Sequence, residues 1–136
     1  MNPTKDKPSV ILIAEDDVDD QEWLMESAVD QNKAYCVEML SDASALLTRL
    51  YDTAQPAPCL VVLDLNMPGL TGFEALIAIR DQHPKEQLPV VIFSTSDNLD
   101  DKNRSFRLGA NDYIVKPFGH SAFINAARQA FAYCQC

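Results

Sequence analysis

Five short apolar runs recur along the chain, and each is followed by a stretch with helical spacing. The runs are SVILIA at 9–14, YCVEML at 35–40, CLVVLDL at 59–65, PVVIFS at 89–94 and DYIVK at 112–116. The first, third and fourth runs are continuous and do not alternate with polar residues, which is typical of parallel strands covered on both faces. The pattern therefore predicts five strands, most of them buried.

Between these runs, apolar residues recur with the spacing of one helix face. They form four groups: Leu24, Met25, Ala28 and Val29; Ala43, Leu46, Leu47 and Leu50; Phe73, Leu76, Ile77 and Ile79; and Phe123, Ala126, Ala127, Ala130 and Cys134. Residues 97–108 are mostly polar, with Leu99, Phe106 and Leu108 as the main apolar positions. The fourth helix is therefore predicted to be poorly buried, and it is a candidate for motion or for contact with a partner.

Strands and helices that alternate five times predict an α/β fold: a doubly wound, five-stranded parallel sheet with five helices on its two faces. The chain has 136 residues, which suits a single domain. We expect residues 1–8 to form a polar N-terminal leader and residues 9–136 to form the domain. Sites in such sheets lie at the carboxyl ends of the strands.

Composition narrows the classes of function. The formal net charge is −9, which opposes binding to nucleic acid because that binding needs patches of lysine and arginine. No stretch of about 18 consecutive apolar residues occurs, so no membrane span is expected. The N-terminal residues MNPTKDKP lack the apolar run of a secretory signal, and we expect a cytoplasmic protein.

The four cysteines do not form a metal-site pattern. Cys36 and Cys59 lie in apolar, strand-like runs and are expected to be buried thiols. Cys134 and Cys136 form only a C-x-C pair, whereas zinc sites usually need two paired clusters, often with histidine. We therefore expect neither a metal–thiolate site nor a disulfide framework, which is rare in cytoplasmic proteins.

Polar residues stand where the predicted strands end. Glu15 and Asp16 follow the first run, Asp64 lies at the end of the third, Ser94 ends the fourth and Lys116 ends the fifth. Because parallel strands end at one edge of the sheet, we expect carboxylates, a hydroxyl and an ammonium group to meet there. Close carboxylates need protons or a cation to balance them, and oxygen ligands favour a hard cation, Mg²⁺ or Mn²⁺.

Such a set of groups is suited to phosphoryl transfer onto a carboxylate. A metal ion would keep Asp64 ionised at neutral pH, as a nucleophile requires. Ser94 would hydrogen-bond an incoming phosphoryl oxygen, and Lys116 would pair with it as a point charge. Metal and lysine would together screen the charge of the transferred group.

Simpler interpretations exist for each of these residues taken alone. Acidic residues before a helix often only provide favourable charge at its N-terminus, and we prefer this interpretation for Asp17, Asp19 and Asp20. A strand-end aspartate is often structural, a serine after a strand is often a cap, and a Lys-Pro pair alone means little. The four signals together, at the ends of four predicted parallel strands, indicate a functional site.

Four stretches of the sequence carry a resemblance to a known family: VILIAEDD, VVLDLNMPGLTGFEAL, VVIFSTS and GANDYIVKPF. They resemble the response regulator receiver domains of two-component signalling, and they span the chain from about Ser9 to its end. The resemblance implies the CheY-like, flavodoxin-type strand order 2-1-3-4-5. The acidic run EDDVDD and the phrase DLNMP are also similar to stand-alone regulators that serve phytochrome-type histidine kinases.

The resemblance implies which residues hold the metal ion. Asp64 would be the phospho-acceptor and a ligand of Mg²⁺, together with the backbone carbonyl of Asn66. Asp16 would be the direct carboxylate ligand and Glu15 would act through water. A register shift of one residue would bring in Asp17 instead of Asp16.

The same resemblance implies a switch. Ser94 resembles the switch hydroxyl, Lys116 resembles the lysine that contacts the phosphoryl group, and Tyr113 stands where family members carry an aromatic side chain that changes rotamer. Without such a role, Tyr113 would be a half-buried core tyrosine. The Lys116–Pro117 bond is expected to be cis.

We therefore expect a single-domain response regulator and not an enzyme. A sensor histidine kinase or a phosphotransfer protein would phosphorylate Asp64, and the fourth helix, fifth strand and fifth helix would then change shape or affinity. Output would be binding to an unidentified target, a homodimer through that surface, or onward transfer of the phosphoryl group.

Two other hypotheses remain open on the sequence. A phosphatase of the haloacid dehalogenase type would use Asp64 as a transient nucleophile, but its D-x-D motif would need aspartate where Asn66 stands. A receiver that acts only as a scaffold would not be phosphorylated at all. Stable incorporation of a phosphoryl group from a small donor with Mg²⁺ would separate the switch from both.

Overall fold

The computed structural model describes residues 9–30 and 33–134 of the chain. The polar leader predicted for residues 1–8 lies outside the described residues, as does Cys136. The structural statements that follow concern the described ranges.

Five parallel strands form most of the sheet, and a helix follows each of them. The strands are β1 (Ser9–Ala14), β2 (Lys33–Leu40), β3 (Leu60–Leu63), β4 (Val90–Ser94) and β5 (Asp112–Val115). The helices are α1 (Val18–Ser27), α2 (Ala43–Tyr51), α3 (Gly72–Gln82), α4 (Leu99–Arg107) and α5 (His120–Phe131). Parallel pairing gives the order β2-β1-β3-β4-β5, which confirms the predicted fold class and strand order.

The second strand differs most from the sequence prediction. It begins at Lys33, two residues before the predicted start. A two-residue strand, Val29–Asp30, also pairs with it in the antiparallel direction and forms the edge of the sheet. The apolar pattern was too short to reveal this pairing.

The hydrophobic core has two halves, one on each face of the sheet. Successive strand residues point to opposite faces, so Leu12 packs on one side while Ile11 and Ile13 pack on the other. Residues of α2 and α3 complete the first half, and residues of α1 and α5 complete the second. Because both faces are covered, the central strands are continuous apolar runs.

Val29, which was predicted to line the first helix, instead lies in the short edge strand and is exposed. Met25 of α1 and Ile77 of α3 are also exposed. The apolar face of these segments is wider than the strip that touches the sheet, so its flanks remain in water. The polar helix α4 agrees with its sequence, since Ser105 is its one buried residue while Leu99 and Phe106 are exposed. No described helix is both long and apolar enough to cross a membrane.

The expectations that Cys36 and Cys59 are buried thiols and that no disulfide forms were wrong. Cys59, which leads into β3, and Cys134, which follows α5, form a disulfide with a Cα–Cα distance of 5.0 Å. They are 75 residues apart in sequence, so only the position of α5 against the sheet brings them together. Cys36 is an exposed free thiol, because it lies on β2 near the edge of the sheet.

Candidate functional site

Three carboxylates meet at the carboxyl ends of the strands. Glu15 follows β1 and Asp64 follows β3, and the two side chains are almost entirely buried, while Asp16 is exposed at the rim. One oxygen atom from each of the three lies within 4.8 Å of the others. A set of oxygen donors at this spacing fits a hard divalent cation such as Mg²⁺ or Mn²⁺.

Lys116 enters this cluster from the end of β5. Its Nζ atom donates to Glu15 Oε1 at 2.5 Å, to Asp20 Oδ2 at 2.8 Å and to Asp64 Oδ2 at 3.2 Å. Burial by itself would lower the pKa of Lys116, but the charges of Asp64 and Glu15 outweigh burial and raise it. Lys116 is therefore charged in the metal-free protein. We call Glu15, Asp16, Asp64 and Lys116 the acidic pocket.

Burial raises the pKa of Glu15 from 4.5 to about 7, although the nearby Lys116 ammonium acts to lower it. One lysine cannot balance three neighbouring carboxylates, so a proton on Glu15 relieves the excess negative charge when no metal is bound. Near neutral pH, a cation at this cluster would therefore compete with a proton for the same carboxylate.

We expect metal-free protein to lose stability as the pH rises from about 4.5 to about 7. Folded Glu15 holds its proton more tightly than unfolded Glu15, so the folded state binds more protons between pH 4.5 and about 7. In that window the free energy of unfolding falls by at most about 1.4 kcal/mol per pH unit, or about 2 to 3 kcal/mol in total. Urea unfolding in the presence of a chelator should show that wild type loses this free energy of unfolding as the pH rises, whereas Glu15→Gln does not. Parallel pH profiles for the two proteins would contradict it.

The loop after Asp64 depends on Gly72. The Gly72 amide donates to Leu65 O at 3.0 Å and draws the start of α3 against the strand end. A Cβ atom on Gly72 would lie 2.4 Å from Asp64 O and 2.7 Å from Leu65 Cα, which are backbone atoms and cannot turn aside. The capping box of Thr71 and Glu74 starts α3 at this point. These contacts hold the backbone on which Asp64 is presented.

Gly72→Ala is expected to destabilise the domain by about 2 kcal/mol, because the added methyl group must push apart two backbone segments. Gly69→Ala is the comparison, since a Cβ there meets no atom within 4 Å and only the positive φ of 79° causes strain. We expect about 1 kcal/mol for that variant. Thermal or urea unfolding measures both. Equal losses would show that the close approach at Gly72 is unimportant.

Ser94 and Tyr113 lie next to the acidic pocket and share a neighbour. The fully buried Ser94 hydroxyl accepts a hydrogen bond from the Ser96 amide at 3.3 Å, and the Tyr113 hydroxyl donates to Ser96 O at 2.7 Å. Burial raises the pKa of Tyr113. The Lys116 amide donates to Ser94 O at 2.7 Å, so the ends of β4 and β5 are joined directly. A displacement of Ser94 would therefore be transmitted to the Tyr113 hydroxyl through Ser96.

The peptide bond after Lys116 does not follow the prediction. No described peptide bond is cis, so the expectation of a cis Lys116–Pro117 bond was wrong. The trans form is intrinsically favoured for a residue before proline. The hydrogen bond from the Lys116 amide to Ser94 O is made with the peptide bond in this form.

The remaining acidic residues of the run EDDVDD have different positions. Asp17 is the N-cap of α1, where its side chain accepts from the amides of Asp19 and Asp20. The three-carboxylate cluster contains Asp16 and not Asp17. Asp20 is more than a favourable charge at the helix start, because it bonds Lys116. No local pattern in the sequence indicates this contact, because Lys116 lies 96 residues away along the chain.

The fold and the acidic pocket together define a CheY-like domain. A model of the response regulator receiver domain family matches residues 11–128, so the chain belongs to that family of two-component signalling domains. Receiver domains receive signals from histidine kinases or phosphotransfer proteins and are, in general, signalling proteins and not enzymes. The family resemblance of the sequence is thereby confirmed.

Two curated relatives show the range of lengths in which this domain occurs. Response regulator Rcp1 of Synechocystis sp. is 34% identical over 124 residues, which cover 85% of this chain and 82% of Rcp1. The transcriptional regulatory protein HprR of Escherichia coli is 32% identical over 118 residues. That match covers 87% of this chain but only 49% of HprR, so the chain spans about half the length of that relative.

Solved structures are similar over almost the whole chain. The Mn²⁺-bound form of Rcp1 has a TM-score of 0.82 and 30% identity and covers 92% of this chain and 93% of its own. The phosphorylated cyanobacterial phytochrome response regulator RcpA has a TM-score of 0.85 and 28% identity, with 94% of each chain covered. A receiver fold of this kind thus occurs with a divalent metal in one relative and with a phosphoryl group in another.

Proposed function

We propose that this protein is a single-domain response regulator that accepts a phosphoryl group on Asp64, with Mg²⁺ bound. The observation that carries the proposal is the buried Asp64 carboxylate, 3.2 Å from Lys116 Nζ and in a cluster with Glu15 and Asp16. This combination of one nucleophile, one fixed cation and a set of oxygen donors is what aspartyl phosphorylation needs.

Glu15, Asp16, Asp64 and the backbone carbonyl of Asn66 would hold the metal ion. Mg²⁺, or Mn²⁺ in its place, supplies positive charge that balances the carboxylates and the transferred phosphoryl oxygens. The oxygen-only donor set of the cluster and the Mn²⁺-bound form of the relative Rcp1 support this proposal.

The side chains of the pocket would divide the chemistry among them. An Asp64 carboxylate oxygen forms the new bond to phosphorus, and the bond between phosphorus and a histidine nitrogen of the donor breaks. Lys116 pairs with a phosphoryl oxygen, and the Ser94 hydroxyl donates to another. Both residues lie on strand ends that the backbone hydrogen bond from Lys116 to Ser94 joins, so they can act together.

The phosphorylated state would differ from the resting state at the α4-β5-α5 surface. If Ser94 moves toward the phosphoryl group, its bond to the Ser96 amide breaks, and the loop that holds the Tyr113 hydroxyl moves with it. Binding energy for the phosphoryl group then shifts a population between two states. The exposed Leu99 and Phe106 of α4 offer apolar area for a target protein or a second copy of the chain.

The donor would be a sensor histidine kinase or a phosphotransfer protein in the cytoplasm. The similarity to RcpA, a phytochrome response regulator, favours a phytochrome-type kinase as that donor. Residues 9–136 would form the receiver unit. The net charge of −9 argues against nucleic acid as a partner, so output would be through protein binding or onward phosphoryl transfer.

Incubation with acetyl phosphate tests the proposal. Intact-mass measurement should detect one added phosphoryl group in the presence of Mg²⁺ and none in a chelator. Continuous release of phosphate from unrelated monoesters would support a phosphatase instead. Absence of both incorporation and metal binding would support a scaffold and would sink the proposal.

A further inference from the structure

Asp20 stands apart from the other carboxylates around Lys116. Its Oδ2 atom lies 2.8 Å from Lys116 Nζ, closer than the 3.2 Å between Lys116 Nζ and Asp64 Oδ2. Yet Asp20 is not among the three residues whose oxygens lie close enough together to share a cation. Asp20 therefore contacts the lysine of the pocket without belonging to the metal cluster.

The backbone holds Asp20 in this position. Asp17 accepts from the Asp20 amide as the N-cap of α1, and the Gln21 side chain donates to Glu15 O at 2.6 Å, which ties the start of the helix to the end of β1. The Asp20 side chain is 22% exposed, and that of its partner Lys116 is 5% exposed. Water therefore screens this contact less than it screens an ordinary surface ion pair.

We propose that Asp20 is a positioning residue that retains Lys116 in the unphosphorylated state and so weakens binding of the phosphoryl group. The proposal rests on the proposed function. A cation bound by Glu15, Asp16 and Asp64 would balance two of the three partners of Lys116, but not Asp20. Asp20 then remains the chief competitor of the phosphoryl oxygens for the ammonium group, and its own charge repels them.

Beryllofluoride, which mimics a phosphoryl group on a carboxylate, is the probe. With Mg²⁺ at saturation, the affinity of Asp20→Asn for beryllofluoride should be at least roughly fivefold higher than that of wild type. The reason is that Lys116 no longer has to break an ion pair with Asp20 before it can bind the probe. The fluorescence of Trp23, the single tryptophan of the chain, can report binding. Asp20→Ser should show the same gain, which covers the case in which one of the two variants folds poorly.

Asp19→Asn is the matched control. Asp19 is adjacent, carries the same charge and is exposed, and no described hydrogen bond joins its side chain to Lys116. Its replacement should change the affinity for beryllofluoride less than twofold, because it alters only the screened long-range field. In a Lys116→Met background, Asp20→Asn should give a clearly smaller gain than in the presence of Lys116, because only the repulsion by the Asp20 charge is then relieved, whereas a purely structural effect would persist in full.

Equal changes in Asp19→Asn and Asp20→Asn, or no gain in either Asp20 variant, would overturn the inference and leave the proposed function intact. Wild-type protein that binds Mg²⁺ but neither beryllofluoride nor a phosphoryl group would instead overturn the proposed function, and this inference with it. Thermal unfolding of each variant shows whether a change in affinity reflects loss of the folded state.

Discussion

Asp64→Asn is expected to abolish phosphoryl incorporation, with a loss of roughly a thousandfold or more in rate. An amide has nearly the shape of a carboxylate but lacks the charge and the nucleophilic oxygen that would bond to phosphorus. The substitution also removes one of the three clustered oxygen donors, so Mg²⁺ should bind more weakly. Intact-mass measurement after incubation with acetyl phosphate and Mg²⁺, and a Mg²⁺ titration, measure the two effects.

The fold should survive this change. Three carboxylates share the single charge of Lys116 in the metal-free protein, so removing one of them reduces electrostatic repulsion. The melting temperature of Asp64→Asn in a chelator should therefore equal or exceed that of wild type. Asp81→Asn, at an exposed position of α3, is the control with the same chemical change and should incorporate normally. Full incorporation in folded Asp64→Asn would refute Asp64 as the acceptor.

Loss of the Cys59–Cys134 disulfide is expected to have the largest effect on stability. The bond closes a segment of 75 residues, and closing so long a loop restricts the unfolded chain. Cys59→Ser should lower the free energy of unfolding by about 4 kcal/mol and the melting temperature by roughly 10 to 20 °C under oxidising conditions. Cys59 Sγ lies 3.1 Å from Val10 O, so a serine hydroxyl at this position can donate a hydrogen bond to the same carbonyl oxygen. The new hydroxyl group therefore has a hydrogen-bond partner in the folded state.

Cys36→Ser is the control for this experiment, because Cys36 is an exposed free thiol. It should unfold like wild type in both oxidising and reducing buffers. Wild type in a reducing buffer should approach Cys59→Ser, and cytoplasmic conditions would favour that reduced form. Identical melting of wild type with and without reductant would mean that the disulfide does not contribute.

In the run EDDVDD, neighbouring residues predict the positions of some acidic side chains and not of others. Its position after a buried strand indicated that Glu15 and Asp16 would lie at the sheet edge, and both lie in the acidic pocket. Which of the later acids would turn inward depended on where α1 begins and on its rotation. In the structure, Asp17 is the N-cap of α1, and Asp20 contacts Lys116, which lies 96 residues away along the chain. Local charge pattern carries no information about that distance.

The sequence by itself determined the alternation of strands and helices, the coverage of both sheet faces and the strand-end positions of Asp64, Ser94 and Lys116. These features follow from periodicity and from residues adjacent in the chain, so short windows contain them. Only the tertiary structure decided the Cys59–Cys134 pairing, the exposure of Ile77 and the contact between Asp20 and Lys116. These depend on strand order, register and the packing of helices on the sheet, which join residues that are distant along the chain.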